Sequence, residues 1–149
     1  MEIKYQVFID ESLLVQRFIG EFSFDVYMQY IQYLKENYSD LQIRKVLIDF
    51  RGLTLLPLPV HFQQKLNQLI EMRQNITRME VESTSVVRVF WVNEPLPTAI
   101  AHIFQKRFYN LNYTYCTSLA GVMNNLGLVK GQFDLERHIV LLDQTFVLR

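Results

Sequence analysis

Lys45-Val46-Leu47-Ile48-Asp49-Phe50-Arg51-Gly52-Leu53 is the stretch that decides the fold. It is short, apolar and β-branched, with charge before it and a glycine turn after it. A strand covered on both faces reads this way, because neither face needs polar residues. Helix-period segments flank it on both sides in the chain. It is therefore expected to be the central strand of a small α/β sheet.

Toward the N-terminus, residues 39–43 connect this strand to a helix. Phe24, Tyr27, Met28, Ile31, Leu34 and Tyr38 recur at three- and four-residue steps and form one apolar stripe. Ser23 is placed to cap the helix, Asp25 suits its first turn, and the pattern ends near Asn37. Tyr27 and Tyr38 fall on the stripe and face the core. Tyr30 and Tyr33 fall off it and are expected to be partly exposed. Before that helix, residues 3–9 alternate, with Ile3, Tyr5, Val7 and Ile9 on one face and Lys4, Gln6 and Phe8 on the other. Asp10-Glu11-Ser12 breaks the pattern, and a second strand over 13–19 closes at Gly20. The pair reads as a hairpin.

Toward the C-terminus, Leu53-Thr54-Leu55-Leu56-Pro57-Leu58-Pro59 is a proline-rich loop that opens a helix. That helix runs from Val60 to Met79, with Phe62, Leu66, Leu69 and Ile70 on its apolar side. Residues 85–92 form a second interior β run through Val86, Val87, Val89, Phe90, Trp91 and Val92. Another helix starts at about Thr98, a short strand covers 111–116, and Ser118 caps a helix that Gly127 terminates. Beyond Gly131, Leu135, Ile139, Leu142 and Phe146 have helical spacing, while Val140-Leu141 and Phe146-Val147-Leu148 suit a strand equally well. A short helix is the reading taken for that tail, with the strand as its alternative.

The order β-β-α-β-α-β-α-β-α predicts an α/β fold with a single small mixed sheet. An N-terminal antiparallel hairpin leads into parallel strands joined by right-handed crossovers, with helices flanking the sheet. The chain has no GxGxxG or GxxxxGK[ST] segment, so no dinucleotide or P-loop chemistry is indicated.

Strand–strand–helix, then Val46-Leu47-Ile48-Asp49-Phe50-Arg51-Gly52, then a helix, then the 86–92 strand with Pro95 behind it, resembles the SpoIIAA-like group of STAS-type domains. The segment from Tyr115 through Ser118 to Leu126-Gly127 looks like that group's last strand and its short Thr/Ser-capped helix. The likeness covers residues 1–128, which gives a SpoIIAA/STAS-like domain there and a C-terminal extension, 129–149, packed on the same domain. It implies a small non-enzymatic module that works through protein partners or small ligands. Members switched by phosphorylation carry an acceptor serine in an Asp-Ser-Ser-Gly-like segment after the central strand. Here Leu56-Pro57-Leu58-Pro59-Val60 stands in that place, so a phosphorylation switch is not carried over.

Composition narrows the function classes. The chain has 149 residues, enough for one domain that buries roughly 70% of its unfolded surface. It contains 15 Lys plus Arg and 15 Asp plus Glu, and this neutrality argues against a nucleic-acid or anionic-membrane binder. Its one cysteine, Cys116, rules out an internal disulfide and a multi-cysteine zinc site. The N-terminus lacks the features of a signal peptide, and no apolar run approaches the roughly 20 residues needed to span a bilayer. A cytoplasmic protein is expected.

Asp49, Arg51 and Thr54 lie at the carboxyl end of the central strand, the edge where open α/β sheets tend to bind ligands, with His61 on the following helix. In the plainer reading Asp49 accepts hydrogen bonds in the turn and Arg51 is solvated. Leu56 and Leu58, with Leu53 and Leu55, either cap the core, the commoner outcome, or form an apolar patch for a partner or ligand. Tyr30 and Tyr33 are the residues expected at a contact with a partner or a second copy, because exposed tyrosine is enriched at interfaces. His61, His102 and His138 have no His or Cys at ligand spacing, so neither a metal nor a cofactor is expected.

The reading adopted from sequence is therefore a non-catalytic interaction or regulatory module, with homodimerisation as one form. A carrier or sensor of an apolar small molecule or lipid is the alternative. An enzyme using Asp49, Arg51 and His61 ranks third.

Overall fold

A computed structural model describes residues 1–54, 62–79, 85–107 and 112–147, with the side chains at 62, 63, 73–79, 96 and 104 outside that description. Its elements run β1 (Glu2–Phe8), β2 (Leu13–Glu21), α1 (Phe24–Tyr38), β3 (Lys45–Thr54), α2 (Phe62–Met79), β4 (Val87–Trp91), α3 (Pro95–Arg107), β5 (Tyr113–Cys116), α4 (Leu119–Leu126), α5 (Leu135–Val140) and β6 (Gln144–Phe146). One six-stranded sheet has the order β5-β4-β3-β2-β1-β6, which places β3 in its interior. β1 pairs antiparallel with β2, while β2, β3, β4 and β5 run parallel to one another. The expected mixed sheet of an antiparallel N-terminal pair followed by parallel strands is what forms.

The period-two alternation of β3 divides two cores. Ile48 and Phe50 face a layer that includes Phe18, Tyr27, Tyr30, Leu66, Leu69, Phe90 and Ala101, contributed in part by α1, α2 and α3. Leu47 faces a second layer with Leu13, Val15, Val89, Trp91, Val122, Leu126 and Ile139, contributed in part by α4 and α5. Phe50 is fully buried, and a side chain of that size contributes about 1.5–3 kcal/mol by leaving water.

The predicted caps form. Ser23 is extended and its hydroxyl accepts from the Val26 amide at 3.4 Å. Ser118 accepts from the Gly121 amide at 3.1 Å. Gly127 ends α4 at φ 62°, and its amide and that of Leu128 satisfy the carbonyls of Asn124 and Met123. α3 begins at Pro95 rather than near Thr98. Proline lacks the N–H that a first helical position leaves unused anyway, so it opens the helix instead of preceding it.

Two expectations are corrected. Tyr30 is not an exposed interface residue: it has no accessible surface. The buried side of α1 holds Phe24, Val26, Tyr27, Tyr30 and Ile31, while Leu34 and Tyr38 are only partly covered. The stripe is thus rotated toward β1, where the Tyr30 ring lies 5.6 Å from that of Tyr5 and 5.3 Å from Phe146. The tail, in turn, forms both structures the sequence allowed. Residues 135–140 are helical, capped by Asp134 on the Arg137 amide, and 144–146 form β6, antiparallel to β1. Phe146 on β6 covers Tyr30 from a segment more than 100 residues away.

Candidate functional site

Asp49 lies midway along β3 rather than at its carboxyl end as expected, in a row that closes β4 and β5 and is built by register. Arg17 of β2, Asp49 of β3, Trp91 of β4 and Cys116 of β5 are successive cross-strand partners, so their side chains share one face in one row. Lys4 of β1 stands opposite Arg17 and extends the row. Between Arg17 and Ile19 the β2–β3 register shifts by one residue, a bulge that uses Gly52. A Cβ at Gly52 would lie 2.7 Å from the Phe18 carbonyl oxygen, so only glycine fits without moving backbone.

Asp49 has no accessible surface and Arg51 holds its carboxylate. Its Oδ1 accepts from the Arg51 amide at 3.1 Å and from Arg51 Nε at 2.8 Å, and its Oδ2 accepts from Arg51 Nη2 at 3.0 Å. Arg17 Nε lies 3.6 Å from the same Oδ2, near enough to pair electrostatically but too far to hydrogen-bond. The Arg51 guanidinium stacks over the Trp91 ring at 3.4 Å. Asp49 thus accepts a backbone hydrogen bond, as the plainer sequence reading held. Arg51 is not freely solvated as that reading also held, because pairing and stacking fix both its edge and its face.

Two basic groups and one acid occupy this corner, and the carboxylate, sealed from solvent, has three of its roughly four acceptor directions taken by Arg51. Neither Arg17 nor Trp91 was singled out from sequence. The signal was present in the alternation of Leu13, Val15 and Arg17, which puts a lone cation on the inward side of an interior strand.

The other sequence candidates scatter. Thr54 is exposed at the end of β3, and Leu53 is buried in the core. Leu56, Leu58 and His61 lie outside the described residues. Tyr33 is half-buried, and its hydroxyl shares a 2.8 Å hydrogen bond with Tyr5. It also lines an open groove of about 660 Å³ between α1 and β6, alongside Gln29 and Phe146. His102 is exposed, and His138 stacks on Phe133 at 4.8 Å. Among the described residues no three His, Cys, Asp or Glu side chains gather as metal ligands. Burial pushes the Cys116 thiol pKa up, and a hydrogen bond from Asn125 Nδ2 at 3.4 Å opposes that shift without cancelling it. A thiol held neutral is a poor nucleophile.

The chain has a SpoIIAA-like fold. Its structure matches that of the anti-sigma factor antagonist SpoIIAA in its unphosphorylated form, with a TM-score of 0.53 at 13% sequence identity. The match covers 86% of this chain and 99% of the SpoIIAA chain. No protein-family model and no curated protein matches the sequence. The match is one of architecture, so the SpoIIAA-like fold describes how the Asp49 corner is held without naming what meets it. No helix among the described residues is long and apolar enough to cross a membrane.

Proposed function

We propose that the chain is a non-catalytic interaction or regulatory module of the STAS/SpoIIAA type that acts in the cytoplasm on a protein partner. The observation that carries this reading is the state of Asp49. A general acid or base must exchange a proton with a substrate, and this carboxylate is sealed from solvent with both oxygens engaged by Arg51. Its role is to brace the end of the sheet. The similarity in fold to a protein described as an anti-sigma factor antagonist supports action through a partner. Because Leu56-Pro57-Leu58-Pro59-Val60 replaces the acceptor serine segment, that action is independent of serine phosphorylation there. The partner surface combines Thr54 at the end of β3 with Leu56, Leu58 and His61, which follow it in sequence.

The test uses the purified chain and a Leu56→Asp/Leu58→Asp variant as baits, followed by reconstitution of any captured protein from purified components. A stoichiometric complex by size-exclusion with light scattering, lost in the variant, is the expected result. Two results overturn the proposal: no captured protein re-forming a complex, or multiple turnovers of a substrate by the purified chain.

A further inference from the structure

Arg17, Arg51 and Asp49 do not balance. The two guanidiniums carry two positive charges against one carboxylate, and the neighbouring Lys4 has its own acid in Glu2 at 3.6 Å. Arg51 spends two side-chain donors on Asp49. Among the described residues the Arg17 side chain makes no hydrogen bond; its Nε is buried facing Asp49 Oδ2 at 3.6 Å, which leaves its two terminal nitrogens as the donors open to a ligand. Both guanidiniums approach the same Asp49 oxygen, Arg17 at 3.6 Å and Arg51 at 3.0 Å, so they are neighbours. Their side chains are 32% and 27% exposed, open enough to be reached yet shielded enough to strengthen a charged contact. Stacking on Trp91 fixes the plane of the Arg51 fork in advance, and a fork held in this way loses little entropy on binding.

We infer that this corner binds a small molecule through an oxyanion, a carboxylate or phosphate group received between Arg17 and Arg51 on the side away from Asp49. The surplus positive charge matches one carboxylate and offsets part of the charge of a phosphate, which is about −1.5 to −2 at pH 7. Neither arginine is among the residues of the proposed partner surface, so an Arg17 variant is expected to retain partner capture.

Trp91 is the only tryptophan in the chain and serves as its own reporter, since the guanidinium above it is the group that a ligand engages. The experiment titrates the full chain with sodium phosphate, and separately with sodium acetate, at pH 7 and at ionic strength held constant with sodium chloride. A saturable change in Trp91 emission is expected with at least one of the two, and the stronger arm identifies the preferred group. Arg17→Gln is expected to weaken it by at least about tenfold, the cost of losing a charge-assisted contact. Arg17→Lys, which keeps the charge and loses the fork, is expected to fall between the two. Lys130→Gln makes the same change in net charge on an exposed turn and is expected to leave the titration unchanged. A response that chloride alone reproduces overturns the inference. So does a response that persists undiminished in both Arg17 variants, or no response in either arm.

Discussion

Asp49→Asn keeps the shape of the side chain and removes its charge, which makes it a direct test of whether Asp49 braces the end of the sheet. In the native arrangement all three donors on the carboxylate come from Arg51. An asparagine oxygen in the Oδ1 position keeps the backbone amide and Nε satisfied, but turns its own NH2 toward Arg51 Nη2 and Arg17 Nε. Flipped, the NH2 meets the Arg51 amide and Nε. Either way donors face donors, and two guanidiniums lose the anion between them. Removing one partner of a fully buried pair costs about 3–5 kcal/mol. Here the acid has no accessible surface while the arginines retain 27% and 32% exposure, so part of the loss is recovered by water. About 2–3 kcal/mol is expected, which for a chain of this size lowers Tm by about 4–12 °C. Urea unfolding followed by far-UV circular dichroism and by Trp91 emission reads it, with coincident midpoints confirming a two-state transition. In the cycle with Arg51→Gln the two losses are expected to be strongly non-additive, because both remove the same contacts. An unchanged midpoint in Asp49→Asn would refute the bracing role and return Asp49 to the list of groups available for chemistry.

Tyr30→Phe is expected to raise stability by about 1 kcal/mol and Tm by about 2–4 °C, since the buried Tyr30 hydroxyl has no hydrogen-bond partner among the described residues and only its ring packs; a lower Tm in calorimetry would show that the hydroxyl is satisfied. Gly52→Ala puts a Cβ 2.7 Å from the Phe18 carbonyl oxygen, a backbone atom that cannot swing aside, and is expected to cost about 1–3 kcal/mol in urea unfolding. Alkaline pH is expected to destabilise the fold. Burial first, and for Tyr5 its hydrogen bonds to Tyr33 and Tyr38, raise the Tyr5 and Tyr30 pKa values above the usual tyrosine range. Raised values mean that the folded state keeps protons the unfolded chain releases, so this contribution is complete below about pH 10 and is lost as pH rises beyond it. Denaturant midpoints that stay level from pH 9 to 11 would contradict it.

Local pattern carried most of the architecture. The β-branched run at residues 46–48 announced an interior strand, the serines at 23 and 118 announced helix starts, and Gly127 announced a helix end, because each of these depends on neighbours a few residues away. Two features did not depend on neighbours. The burial of Tyr30 needs Phe146, which arrives through the pairing of β6 with β1, and nothing near residue 30 encodes that return. The period of α1 read from its own residues was therefore off by part of a turn. The Asp49 corner is the same problem in two dimensions. Residues 17, 49, 51 and 91 are unremarkable one at a time and become a site only when three strands align. In a sheet that alignment is all or nothing, since a slip of one residue would send each of these side chains to the opposite face. The bulge at Gly52, wedged against the Phe18 carbonyl, sits three residues beyond Asp49 and locks β2 against β3 at the point where such a slip would begin. The glycine that looked from sequence like a simple turn after the central strand thus helps decide whether the charged corner exists.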